Sequence, residues 1–298
     1  MNYARLTLLL FVFVSFFSNG QSEINFDDEK LLGRLETLSS DSFRGRKTGE
    51  KGNELARKFI VGEFKDLKVE PFGGKYEHLF DFKVEKKQLT GVNVLGWFKG
   101  YEKENEYIVV SAHYDHLGVI KGKVYNGADD DASGTAALFA FAEYLSKNPP
   151  KHSVILAAFD AEEMGLQGSK YFVDKMKNQK IIANINMDMI SRSKKNELYL
   201  VGTRYSPKLD TIIKKFENPT ATKLLIGHDG TDGKEDWTFS SDHGPFHKAE
   251  IPFLYFGDED HPGYHKPTDD FKDITPEFYK NSVKIILSVF SEIDDKGL

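Results

Sequence analysis

Residues 152–189 read HSVILAAFDAEEMGLQGSKYFVDKMKNQKIIANINMDM. A β-branched and aromatic run, HSVILAAFDA, is followed by the helical segment LQGSKYFVDKMK and then by a second apolar run, IIANINMDM. The stretch therefore reads strand, helix, strand. Working outward, LFDFKV, GVNVLGWF and EYIVVSAHY read as strands upstream, and SGTAALFAFAEYLSK reads as a helix. Downstream come the helical PKLDTIIKKFE, the strand IPFLYFG and a last helix around TPEFYKNSVKIILSVFSEI. Two further helical patterns, DEKLLGRLETLSS and GEKGNELARKFIVGEFKDL, open the chain on either side of the polar, Gly-rich loop DSFRGRKTGEKG. Strand and helix alternate through the centre, so the expected fold class is α/β: a mixed, largely parallel central sheet with helices on both faces. There is no internal repeat and no Pro- or Ser-rich linker, and one domain is the simpler organisation.

Composition narrows the function classes. The 298 residues carry 46 acidic and 40 basic side chains, a net charge of −6, with no basic block. That argues against a nucleic-acid partner. The N-terminus MNYARLTLLLFVFVSFFSNGQS has one Arg, an apolar run from Leu6 to Phe17, and then small or polar residues such as Ser18 and Gly20. The run is shorter than the roughly 20 residues a bilayer requires, and small residues follow it. We read residues 1–20 as a signal peptide, leaving 21–298 as the mature domain, exported to a periplasm or to the medium and free of the membrane after cleavage. The chain has no cysteine, so its core must hold it without disulfides, and Cys nucleophiles and Cys-ligated zinc are excluded.

In α/β sheets ligands gather at the carboxyl ends of strands. Here those ends deliver His113, Asp115 and His116; Asp160, Glu162 and Glu163; Asp188; and, after IPFLYFG, His261 and His265. The turn NGADDDASGTAAL adds Asp129, Asp130 and Asp131 in a row. Each piece alone has an ordinary explanation. An Asp-rich turn often caps a helix, and Asp131 or Ser133 would cap the one starting near Gly134. Adjacent Glu residues often complement a helix dipole. Buried carboxylates nevertheless need a positive partner, and the nearest basic residues, Lys121 and Lys123, are few and flexible. A single cation explains all five clusters at once. A calcium loop starting at Asp129 would need a carboxylate at its twelfth position, which is Ala140. No H-E-x-x-H and no G-x-S-x-G occurs. Mixed imidazole and carboxylate donors suit zinc, and one carboxylate beyond the needs of a single ion suggests two ions bridged by an Asp.

Taken in order, SAHYDHLG, NGADDDASGTAAL, FDAEEMGLQGSKYF, NMDMI, SDHGPF and YHKPTDD resemble the zinc-dependent exopeptidases of the M28 aminopeptidase family. The N-terminal LSSDSFRGRKTGEKGNELARKFIVGEF is similar to that family's entry segment, so the likeness covers almost all of residues 30–290. The resemblance implies two Zn2+ ions. His113 and Asp188 would hold one, Glu163 and His265 the other, and Asp130 would bridge them. Glu162 falls at the position of the general base that activates the metal-bound water. Tyr264 resembles a tyrosine that donates to the oxyanion in some members. Asp115, two residues after His113 and on the same side of an extended chain, is expected to accept the second imidazole proton. Asp129 and Asp131 are assigned to turn geometry and to hydrogen bonds behind the ligands, and Asp242 and His243 match a family segment near the substrate cleft, where a purely structural role serves equally well.

The implied activity is that of an exported aminopeptidase acting on peptides with a free N-terminus. Two other readings compete. One is a glutaminyl cyclase on the same fold, which typically uses one zinc; retention of both His113 and Asp188 favours two. The other is an inactive binding module, which is disfavoured because every ligand position and Glu162 are intact. The chain departs from some secreted members in lacking a disulfide near the last His ligand, and it has no room for an inserted protease-associated domain between residues 70 and 100. The preferred N-terminal side chain, the substrate length and the oligomeric state are not encoded in these motifs.

Overall fold

The computed structural model describes residues 24–298, so the segment read as a signal peptide, residues 1–20, lies outside the described residues. The strands are β1 (Glu70–Pro71), β2 (Glu77–Val84), β3 (Lys87–Phe98), β4 (Lys103–His113), β5 (Gly118–Ile120), β6 (Lys123–Tyr125), β7 (His152–Phe159), β8 (Lys180–Met187), β9 (Glu197–Val201), β10 (Lys223–Ile226) and β11 (Phe253–Gly257). The helices are α1 (Asp28–Leu38), α2 (Lys51–Asp66), α3 (Gly134–Lys147), α4 (Gln167–Met176), α5 (Pro207–Lys214), α6 (His243–Lys248) and α7 (Pro276–Lys296). Among the described residues no helix is long and apolar enough to cross a membrane.

Nine strands form one mixed sheet in the order β1-β3-β7-β4-β8-β11-β9-β10, with β2 also paired to β3. The central run β7-β4-β8-β11 is parallel throughout. The antiparallel pairings flank it, β3 with β7 on one side and β9 with β11 on the other. Successive side chains on a strand point to opposite faces, and the buried strands are apolar on both. Val154, Leu156 and Ala158 of β7 join the core under α1, α2, α3, α5 and α7. Ile155, Ala157 and Phe159 pack instead with Phe172 of α4 and Phe246 of α6. Helices thus cover both faces, as the alternation of runs implies.

Within the larger core, Phe139 meets Phe59 and Phe64 edge-on, with ring centroids 6.0 and 5.8 Å apart. Edge-on pairs are worth about 0.5–1.5 kcal/mol each beyond their burial. Phe139→Leu is therefore expected to lower stability by about 1–3 kcal/mol. A urea titration should show a lower midpoint with an unchanged slope.

The parallel centre fixes where function gathers. Because β7, β4, β8 and β11 point the same way, their carboxyl ends share one edge of the sheet. His113 closes β4 opposite Phe159 of β7, and Asp188 follows β8 directly. Glu162 and Glu163 lie in the turn between β7 and α4, ahead of the helix rather than opening it. Asp130 arrives from the irregular turn Ala128–Ser133 before α3.

Candidate metal centre

Asp130 stands between two groups of donors. Its Oδ1 lies 3.2 Å from His113 Nε2, which is itself 3.5 Å from Asp188 Oδ1. Its Oδ2 lies 3.1 Å from His265 Nε2, which is 3.5 Å from Glu163 Oε2. His113, Asp130 and Asp188 offer donor atoms within 4.8 Å of one another, and so do His116, Asp130 and Glu163. Asp188 Oδ1, Glu163 Oε1 and both ring nitrogens of His116 are buried without a hydrogen-bond partner. Unpaired buried donors of this kind, aimed at common points, fit a cation. Their imidazole and carboxylate chemistry fits zinc.

The surroundings fix these groups. His113 Nδ1 is 3.1 Å from the Asp115 carbonyl, which can only accept, so Nδ1 carries a proton and Nε2 is the nitrogen left to face a metal. The expected partner was the Asp115 carboxylate, but that lies 3.8 Å away. It accepts instead from the Glu162 backbone N–H at 3.0 Å and from Thr48 Oγ1 at 3.3 Å, so it holds the turn that carries both glutamates. The chain leaves the extended conformation after His113, which is why simple alternation mispositions Asp115. Residues on either side of the site, Ala161 before Glu162 and Met189 after Asp188, take positive φ, as does His265 itself. Such backbone conformations cost energy and persist where the surroundings enforce them.

The three consecutive aspartates do three different things. Asp131 Oδ1 accepts from Gly134 N at 2.8 Å, capping the start of α3, while its Oδ2 accepts from His113 N at 3.1 Å. Asp129 Oδ1 accepts from Ser191 N at 2.7 Å and from its hydroxyl at 2.8 Å. His261 Nδ1 accepts a hydrogen bond from Gly263 N at 3.0 Å, so its Nε2 carries the proton and donates to Asp129 Oδ2 at 3.1 Å. Asp269 accepts from the backbone N–H groups of Asp129 and Asp130, each at 3.1 Å, and so pins the turn.

Sequence reasoning missed a cation here. Arg46 is buried, and its guanidinium donates to the carbonyls of Leu38, Tyr114, Asn126 and Gly127 at 2.9, 2.8, 2.6 and 2.9 Å. Burial lowers its pKa, and Asp130, Asp131, Asp269 and Asp115 act against that. Three separate chain segments, at Leu38, Tyr114 and Asn126–Gly127, are thus tied together by one side chain. The signal for it was an Arg inside the Gly-rich loop DSFRGRKTGEKG.

Asp130 is also the carboxylate that its neighbours keep charged. Burial opposes ionisation, yet the imidazoles of His116, His113 and His265 hold it well below the usual carboxylate range. Glu162 behaves oppositely: desolvation pushes its carboxyl well above that range, His113 opposes the shift, and Asp242, Asp188 and Glu163 add to it. Glu162 is thus a carboxyl with a raised affinity for protons that lies outside both donor groups. Tyr264 stacks on His265, with centroids 4.0 Å apart, and burial together with Asp130 and Asp188 keeps its phenol protonated. Asp242 is buried at the start of α6 and raised to about 6, chiefly by that burial. His243 is neutral, pushed down to about 3 by burial, and its Nε2 donates to the Trp237 carbonyl at 2.8 Å.

These groups open onto a cavity of about 330 Å³, walled by Leu166, Met189, Trp237, Tyr255 and Asp260 besides the donors, Glu162 and Tyr264. A larger groove of about 740 Å³ lies between Lys147–Lys151 and the end of α7, at the amino end of β7 and away from both donor groups.

The sequence model of peptidase family M28 matches residues 93–290. The chain belongs to peptidase family M28. Among M28 and related proteins, it is 31% identical to aminopeptidase YwaD of Bacillus subtilis over 215 residues, which is 68% of this chain and 45% of that protein. The chain spans less than half the length of the curated relatives it matches. Its fold superposes on BSAP, a zinc aminopeptidase from Bacillus subtilis, with a TM-score of 0.71 at 19% identity, covering 93% of this chain and 98% of that one. A glutaminyl cyclase from Fimbriiglobus ruber gives 0.69 at 17% identity, covering 90% and 95%. At these identities the two structures establish the shared fold.

Proposed function

We propose that this M28 chain is an exported di-zinc aminopeptidase that removes N-terminal residues from peptides. The observation that carries the reading is Asp130, whose two oxygens face two different donor groups while Glu162 and Tyr264 line the same cavity. His113, Asp188 and Asp130 Oδ1 would hold one ion, and Glu163, His265 and Asp130 Oδ2 the other. When bound, such a pair polarises the scissile carbonyl and makes water acidic enough to react near neutral pH.

The chain's own residues do the rest. Glu162 takes a proton from the attacking water and passes it to the leaving amine, for which its raised affinity for protons suits it. Tyr264 donates its hydroxyl hydrogen to the oxyanion as it develops. Asp115 fixes the Glu162 backbone, and Trp237, Leu166 and Met189 wall the cavity against water. The substrate's α-ammonium is received among the acidic lining groups, including Asp188 and Asp260. Export rests on the composition of residues 1–20, and N-terminal sequencing of protein recovered outside the cytoplasm should start near residue 21.

Acetylating a peptide's N-terminus should abolish its cleavage, because the acidic groups then meet no cation. A panel of aminoacyl anilides and glutaminyl peptides, followed by mass spectrometry, checks this. Rapid internal cleavage of the acetylated peptide would make the protein an endopeptidase. Loss of ammonia from an N-terminal glutamine without peptide hydrolysis would make it a cyclase.

A further inference from the structure

His116 has no assigned role, yet its placement is unusual. The ring is buried, with 1% exposure, and neither nitrogen makes a hydrogen bond. Its Nδ1 lies 2.7 Å from Glu163 Oε1 and 3.6 Å from Asp130 Oδ2. A separation of 2.7 Å would ordinarily be a hydrogen bond, but Glu163 Oε1 is likewise without a partner, so the two atoms are not aimed at each other. Two donors this close and misaligned are turned toward a shared third point. The ring cannot easily turn away. Gly127 has φ +54°, and a Cβ there would fall 2.6 Å from His116 Cδ2, so backbone presses directly on the imidazole. The His265 ring is a further neighbour, tilted at 56° with its centroid 6.1 Å away.

We infer that His116 Nδ1 is a direct ligand of the second ion, completing a set of two imidazoles and two carboxylates with Glu163, His265 and Asp130. The inference rests on the two-ion reading above. Its consequence is that the two ions are unequal. Four protein donors make a closed tetrahedral zinc site of the kind that holds metal structurally. Three donors, His113, Asp188 and Asp130, leave a position open for water or substrate. Chemistry then centres on the ion beside His113, and the ion beside His116 serves mainly to anchor Asp130.

The test uses full-length mature protein, zinc-loaded and then equilibrated against graded concentrations of a chelator, with zinc per chain measured by elemental analysis. Wild type should hold two ions and release them in two well-separated steps. In His116→Gln and His116→Ala the tighter step should weaken by at least about 10–100-fold, the loss usual for even a supporting partner of a ligand. The melting temperature of the zinc-loaded variants should fall while that of the metal-free variants matches metal-free wild type. Variants that keep both ions at wild-type affinity would overturn the assignment, as would an equal fall in melting temperature with and without zinc, which marks a packing role. If wild type holds a single ion, the two-ion function fails, and His116 stands or falls on whether the variants release that ion. His116→Gln preserves bulk, so a folding failure of His116→Ala leaves the experiment decisive.

Discussion

Glu162→Gln should lower kcat by about 10²–10⁴ while leaving zinc content and melting temperature at their wild-type values. Glu162 belongs to neither donor group, and its backbone is pinned through the hydrogen bond from its N–H to Asp115 Oδ1 at 3.0 Å. Glutamine keeps the size and the hydrogen-bonding reach of the side chain but cannot take a proton from water. The loss is therefore confined to the transition state, and KM for an aminoacyl anilide should change little. Glu163→Gln should behave in the opposite sense. Its two oxygens face His116 and His265, so the amide weakens metal binding first and activity falls as a result. Elemental analysis of both variants beside their turnover numbers separates the cases. Near-normal turnover in Glu162→Gln would exchange the roles of the two glutamates.

How much of this could be read from the chain depends on distance along it. The six long strands and the long helices follow from apolar periodicity, which local sequence carries directly. The β5–β6 hairpin did not, because each strand has three residues and glycines punctuate them. β9 and β10 escaped for a related reason: their apolar runs, LYLV and LLI, are shorter than the run IPFLYF that marks β11. At the site, residue types at the strand ends and in the Asp-rich turn were enough to place His113, Asp130, Glu163, Asp188 and His265 among a wider pool of candidate donors, because strand ends in a parallel sheet are forced together; singling out these five took the resemblance to the M28 family. Arg46 was invisible because its partners are carbonyls, which every residue has, drawn from positions 38, 114, 126 and 127. Lys121 and Lys123 are the basic neighbours of the aspartates in sequence, whereas Arg46 is their neighbour in space. Alternation along an extended chain would put His116 on the face opposite His113. The strand ends at His113, and the irregular segment that follows brings both rings to Asp130 instead.

Asp130→Asn should lose zinc, activity and thermal stability together. The carboxylate is the one group shared by both donor sets, and its charge is what the three imidazoles around it stabilise. A neutral amide offers one good acceptor oxygen where two are needed and leaves two dications under-neutralised. Ions that bind only the folded chain stabilise it by about 3 kcal/mol when present at a hundred times their dissociation constant. That increment should vanish, so adding zinc should raise the melting temperature of wild type and not of the variant. Asp129→Asn, one residue away, should act differently. Its Oδ1 can be replaced by the amide oxygen facing Ser191, but the amide nitrogen then meets the N–H of His261, whose other nitrogen already accepts from Gly263. Two donors face each other, at a cost of about 1–3 kcal/mol, with both zinc sites still formed. The expected result is a lower melting temperature in zinc-free and zinc-loaded protein alike, with nearly full metal content. Equal loss of zinc from both variants would mean that the three aspartates act as one pool of negative charge, and that no single residue among them bridges the ions.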